Sequence, residues 1–178
     1  MNIKKTLIED CYILEPDVFN DNRGFFYELY NEKKYKAFGI KHKFVQDNFS
    51  NSKKHVLRGL HFQKKDSQGK LVSVINGEVF DVVVDIRKDS KTYGRYISVN
   101  LSSKNKYQLW IPKGLAHGFL ALTDNVDFLY KCTDFYNPAH EETLIWNDPE
   151  ININWPISNP TMSSKDLEGK LLKEINDD

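Results

Sequence analysis

The chain has 178 residues, and its 25 Lys plus Arg balance 25 Asp plus Glu, so its formal charge is zero. That balance argues against nucleic acid and anionic membranes as partners, and this length suffices for one domain whose core needs neither a disulfide nor a metal. Cys11 and Cys132 form no CxxC pattern and no apolar run reaches signal-peptide or membrane-spanning length, so a cytoplasmic protein with two buried thiols is expected.

Residues 7–28 read as short extended pieces. Tyr12 to Glu15 stops at Pro16, and Asp21, Asn22, Arg23 and Gly24 carry turn chemistry leading into an aromatic strand, FFYEL. Arg23 is either a phosphate ligand or a solvated turn arginine. Asn31 to Gly39 reads as a short helix, capped by Asn31 and stopped by Gly39. Residues 44–50 are extended and place Gln46 and Asn48 on one face with Phe44. Amides beside an aromatic suit a sugar or a pyrimidine, or they cap loops.

The stretch VLRGLHFQKKDSQGK, 56–70, gathers Arg58, His61 and Lys70 ahead of a long strand pattern. Arg58 and His61 point to opposite faces of an extended chain unless Gly59 permits a bulge. A second imidazole, His117, is expected to meet His61 across a barrel, although each is equally readable as an ordinary half-buried histidine. Residues 71–87 are the strongest strand signal, with Asn76-Gly77 predicting a hairpin turn. Beyond it Phe80, Val82, Val84 and Ile86 alternate with Val79, Asp81, Val83, Asp85 and Arg87, so both faces are occupied. Strands at 96–101, 107–111, 118–122 and 126–133 follow, and Phe128, Tyr130 and Cys132 share a face. Short strands at this spacing predict a closed or sandwiched antiparallel β fold. From Pro138 the chain is expected to wrap the barrel, and SSKDLEGKLLKEI from Ser163 reads as a helix weakened at Gly169. Asp177 and Asp178 read as a solvated tail.

Pro112, Gly114 and His117 in IPKGLAHGF resemble the second signature of cupin barrels. The His-x-His pair of the first signature is replaced by His61-Phe62-Gln63, which leaves too few ligands for a catalytic metal. What remains is a His, a Lys, a Tyr and an Asp, a set suited to proton transfer beside a carbonyl. An imidazole steadied by a carboxylate takes the proton, a cation holds the enolate oxygen, and a phenol returns a proton to the other face.

VLRGLHFQ, QGKLV, GEVFDVVVDIR, LSSKNKYQLWIPKGLAHGF, FLYK and WNDP, in this order, resemble the dTDP-4-dehydrorhamnose 3,5-epimerase family, from DNRGFF near the start to SSKD near the end. The resemblance implies a mainly β, cupin-type, jelly-roll-like antiparallel barrel with a few short helices. It implies a homodimer that works without metal or cofactor on a dTDP-linked 4-keto-6-deoxyhexose. It further implies one domain over 1–178, with N-terminal strands and a short helix at 1–50, a barrel core at 51–136, and a C-terminal wrap and helix at 137–178.

The same resemblance implies His61 as base, Asp166 as its orienting carboxylate, Lys70 at the enolate and Tyr130 as the acid on the opposite face. Arg58 and His117 then line the pocket, Arg23, Gln46, Asn48 and Lys165 contact the nucleotide diphosphate or base, and Glu28 is a further substrate-binding position. Phe25 and Phe135 are the positions for stacking on thymine. Each residue also has a plainer role open to it: Lys70 on the surface, Tyr130 in the core, Asp166 at a helix N-terminus. The activity implied is inversion at C-3 and C-5. A single-centre epimerase or ketoisomerase, a non-catalytic sugar-nucleotide binding module and a metal-dependent cupin are the rivals.

Overall fold

The computed structural model describes residues 1–175, and the tail at Asp177 and Asp178 lies outside the described residues. In chain order the elements are β1 (Asn2–Lys5), β2 (Tyr12–Glu15), β3 (Phe19–Asp21), β4 (Gly24–Phe26), α1 (Glu32–Ala37), β5 (Gln46–Ser52), β6 (Leu57–Gln63), β7 (Lys70–Asn76) and β8 (Glu78–Asp85). They continue with β9 (Tyr96–Ser102), β10 (Gln108–Ile111), β11 (Leu115–Ala121), β12 (Val126–Cys132), β13 (Glu141–Thr143), α2 (Ser164–Leu167) and α3 (Leu172–Ile175). A six-stranded sheet, ordered β1-β2-β10-β7-β12-β5, faces a five-stranded one, β13-β6-β11-β8-β9, while β3 and β4 form a separate ribbon. The expected cupin-type fold is therefore present as two facing antiparallel sheets, each hydrogen-bonded within itself, and the barrel is not closed.

Alternation along the strands explains how the layers fill. Val72, Val74, Leu109 and Phe128 of the first sheet meet Val79, Val83, Leu101 and Phe119 of the second in the central core. The opposite parity of β8 gives Val82 and Val84, which lie with Phe62 beneath Ile151, Ile153 and Leu172 of the C-terminal wrap. Leu71 and Trp110 on the other outer face are covered by Tyr35 and Ile40. Strands covered on both faces carry apolar residues at both parities, which is why 79–86 shows little polar alternation. Asn31 caps α1 by accepting from the Lys34 N–H, and Gly39 (φ +94°) lies just past its end, as expected.

Three expectations about local structure change. Asn76-Gly77 does not close a hairpin: β7 pairs with β10 and β12, β8 with β11 and β9, and the dipeptide carries the chain from one sheet to the other. Its positive φ of +81° at Gly77 serves either kind of turn, so the dipeptide alone does not set where the next strand pairs. The Ser163 helix is split into α2 and α3. Lys170 N–H donates to Thr143 O (2.8 Å) and Ile145 N–H to Lys170 O (2.8 Å), so this backbone bonds to the wrap instead of to a helix. Phe44 precedes β5 and packs with the Trp110 cluster, apart from Gln46 and Asn48.

Gly59 marks a bulge, as its place beside His61 predicts. His117 pairs with His61 but Phe119 pairs with Arg58, so the register slips by one between them. Gly59 has φ +127°, and a Cβ there would sit 2.5 Å from the Gly118 Cα. Gly59→Ala is therefore expected to cost about 3 kcal/mol or more, combining backbone strain with overpacking. The urea midpoint of the purified variant measures this.

Candidate active site

His61 and His117 do not meet across the barrel. They are neighbours on β6 and β11 in one sheet, and the bulge between those strands turns both imidazoles into the cavity between the sheets. Each is backed by a carboxylate. His61 Nε2–H donates to Asp166 Oδ1 at 2.6 Å, which leaves Nδ1 without a protein partner among the described residues. Asp166 comes from α2, where Ser163 Oγ accepts from its N–H (3.2 Å), and its second oxygen accepts from the Gly59 N–H at 3.4 Å. Burial works to raise the Asp166 carboxyl, yet the His61 hydrogen bond and charge, with the Gly59 and Ser163 bonds, hold it below its usual range. His117 Nε2–H lies 3.0 Å from both oxygens of Asp81, a fully buried residue of β8. Burial pushes the Asp81 carboxyl up, against the pull of His117 and Lys70.

The facing sheet supplies Lys70 and Tyr130. Lys70 opens β7 and Tyr130 lies on the adjacent β12, where Cys132 is opposite Lys70. Loss of solvation lowers the Lys70 pKa. Such an ammonium gains when a negative oxygen comes to it, the behaviour required of an enolate ligand. Burial also pushes Tyr130 up to about 12, so its phenol keeps its proton through the neutral range. Cys132 is a buried free thiol raised by burial, and its sulfur accepts from Asn48 Nδ2 at 3.6 Å.

The cavity holds about 630 Å³, a volume within the range of small-molecule sites. Of the residues predicted from sequence it brings together His61, Asp166, Lys70 and Tyr130 with Arg58, His117, Gln46, Asn48 and Lys165. Arg23, Phe25, Glu28 and Phe135 do not line it. Arg23 pairs with Asp21 at 2.6 Å, Glu28 accepts from Asn31 and Lys34, and Phe25 lies 3.8 Å under the Lys106 ammonium. Phe135 is exposed and contributes its backbone oxygen to Gln63.

Tyr136, Glu141 and Asp81 are among the site side chains that the sequence alone does not single out. Tyr136, next to Phe135, lines the cavity; its hydroxyl donates to Glu141 (2.8 Å), and its N–H donates to Gln46 Oε1 (2.9 Å). Glu141 also accepts from Lys165. Burial would raise its carboxyl, but those two donors and the charge of His61 hold it low. Asp81, the partner of His117, sat in plain view as a carboxylate on the core-facing parity of β8. Among the described residues, no group of His, Cys, Asp or Glu side chains is placed to hold a metal ion, and no helix is long and apolar enough to cross a membrane.

Carboxylate-backed imidazoles on one wall, with a desolvated lysine and a protonated phenol on the other, define an acid–base site of the cupin-type β fold. A family model described as dTDP-4-dehydrorhamnose 3,5-epimerase matches residues 5–174, and the chain belongs to that family. It is 54% identical over 177 residues to the dTDP-4-dehydrorhamnose 3,5-epimerase of Salmonella typhimurium (strain LT2), covering 98% of this chain and 97% of that protein. The crystal structure of the dTDP-6-deoxy-D-glucose-3,5-epimerase of Legionella pneumophila Philadelphia 1, in complex with dTDP-4-keto-L-rhamnose, matches with a TM-score of 0.95 and 52% identity. That match covers 98% of this chain and 94% of the other. A 3'-monoepimerase from Streptomyces bikiniensis, in complex with dTDP-quinovose, is also similar, at 32% identity and a TM-score of 0.88, over 94% and 86% of the two chains.

Proposed function

We propose that this protein inverts C-3 and C-5 of dTDP-4-dehydro-6-deoxy-D-glucose to give dTDP-4-dehydro-L-rhamnose, as an isomerase of dTDP-L-rhamnose biosynthesis. One observation carries the reading: His61 with Asp166 stands on one sheet and Tyr130 on the facing sheet, so a sugar held between them has a base on one face and an acid on the other. His61 Nδ1 takes the proton from a carbon beside the C-4 carbonyl, and the electron pair moves onto the C-4 oxygen. Lys70 stabilises that enolate. Tyr130 then delivers its proton to the opposite face of the same carbon, and both side chains reset by exchange with water. Two such cycles, one at each carbon flanking the ketone, give the doubly inverted product.

Gln46, Asn48 and Lys165 form the nucleotide side of the cavity in this reading, with Tyr136 taking the stacking place given to Phe135. Arg23, Phe25 and Glu28 act from a second copy. The β3–β4 ribbon holds Phe19, Phe25 and Phe26 at 64%, 56% and 66% exposure, and a two-stranded ribbon is marginal without a covering surface. A homodimer that lays each ribbon at the partner's cavity mouth supports both the buried apolar surface and the arginine beside a diphosphate. A nucleotide-sugar substrate and two unpaired thiols support a cytoplasmic location.

Incubation with dTDP-4-keto-6-deoxyglucose in D₂O, followed by mass spectrometry, tests the reaction. Enzyme-dependent uptake of deuterium at both C-3 and C-5 is expected. Uptake at one carbon would instead make the chain a single-centre epimerase, as the similarity to the monoepimerase allows, and none would remove the epimerase reading.

A further inference from the structure

On β5 the residues of one parity, Gln46, Asn48, Ser50 and Ser52, are aligned towards the space between the sheets. Three of these polar side chains are engaged. Gln46 Nε2 donates to Asn48 Oδ1 (3.0 Å), Asn48 bonds to Cys132, and Ser52 Oγ accepts from Arg58 Nε at 3.0 Å. Ser50 is different. It lines the same cavity, its Oγ is buried, and that oxygen has no hydrogen-bond partner. A buried hydroxyl left unpaired costs about 1–3 kcal/mol, so alanine at this place would serve the fold of the free protein better.

We propose that Ser50 is a substrate-orienting residue whose hydroxyl bonds to the C-2 hydroxyl of the sugar; this rests on the epimerase reading above. Its place on the wall argues for the sugar. Ser50 is opposite Phe128, and Asn48 is opposite Tyr130, so Ser50 stands one alternate position, about 6.8 Å, beyond the level of the acid. Arg58 and Phe119 line the same region, an arginine beside an apolar floor. A 4-keto-6-deoxyhexose has free hydroxyls only at C-2 and C-3, and inversion at C-3 moves the second of them. C-2 takes no part in either proton transfer. A hydroxyl bonded there keeps the ring in register through both inversions, holding C-3 and C-5 in turn between His61 and Tyr130.

The test compares wild type and Ser50→Ala on the parent substrate and on its 2-deoxy analogue. The variant is expected to lose roughly 3- to 10-fold in kcat/KM on the parent, the size of one neutral hydrogen bond, and almost nothing on the analogue. The melting temperature of the ligand-free variant should equal or exceed that of wild type, because no bond is lost on removing the orphan hydroxyl. Equal losses on both substrates, no loss on either, or a lowered melting temperature accompanied by equal losses would overturn the assignment. Wild-type protein inactive on both substrates would overturn the epimerase reading itself, and this assignment with it.

Discussion

His61→Ala is expected to lower kcat by about 10²- to 10⁴-fold, the usual worth of a positioned general base, while dTDP binding stays close to wild type. The reason for the split lies in the placement of the groups. In the proposed mechanism His61 acts at the reacting carbons, whereas Gln46, Asn48 and Tyr136, proposed for the nucleotide, are held by their own hydrogen bonds, none of which involves His61. Asp166→Asn should follow with a smaller loss, roughly 10- to 100-fold, since a hydrogen bond to a charged group contributes about 1.5–3 kcal/mol. The asparagine keeps the bulk and the helix cap but has no charge to steady the imidazolium that forms when Nδ1 takes the proton. Deuterium exchange on the sugar measured beside calorimetry of dTDP binding separates the two effects. Unchanged exchange in His61→Ala would remove His61 as the base.

Much of this arrangement was readable in the chain, and the failures have physical causes. The strand pattern was legible because the central strands β7, β8 and β11 carry apolar residues at both parities while β5 alternates, and the Gly59 bulge because only a glycine fits where two backbones approach to a Cβ distance of 2.5 Å. Partners were less legible than strands. Asn-Gly permits a turn but does not choose the sheet of the next strand, so β7 and β8 were expected to pair and do not. His61 and His117 pair on neighbouring strands, not across a barrel; spacing along the chain carries no information on register between β6 and β11. In the sequence Asp81 is one residue of an alternating strand; that it backs His117 depends on the lateral order β8-β11, which only the folded chain reveals. Tyr136 lines the cavity and Phe135 does not, because a one-residue shift after a strand end decides which ring enters it, and sequence alone does not fix that shift. Arg23, Phe25 and Glu28 lie outside the cavity of their own chain. Their proposed role needs a second copy, whose position no single sequence contains.

Tyr130→Phe is expected to separate proton exchange from inversion. Burial pushes the wild-type phenol up to about 12, so the proposed acid carries its proton through the neutral range. Its hydroxyl has no protein partner among the described residues, while the ring is wedged beside Phe128, with centroids 6.1 Å apart. Phenylalanine therefore keeps the packing and deletes no hydrogen bond of the free protein, so folding should be nearly unchanged. The variant retains His61, Asp166 and Lys70, which suffice to remove a proton and hold the enolate. That enolate then recovers a proton from the His61 face alone, after exchange with solvent. In D₂O the recovered sugar should carry deuterium with its configuration retained, while the rate of forming the inverted product falls by about 10²- to 10⁴-fold. Nuclear magnetic resonance of the sugar, which reads configuration and label together, decides the matter. Inverted product at the wild-type rate would assign the acid to a water molecule in place of Tyr130, and loss of exchange together with inversion would mean that the phenol also helps to form the enolate.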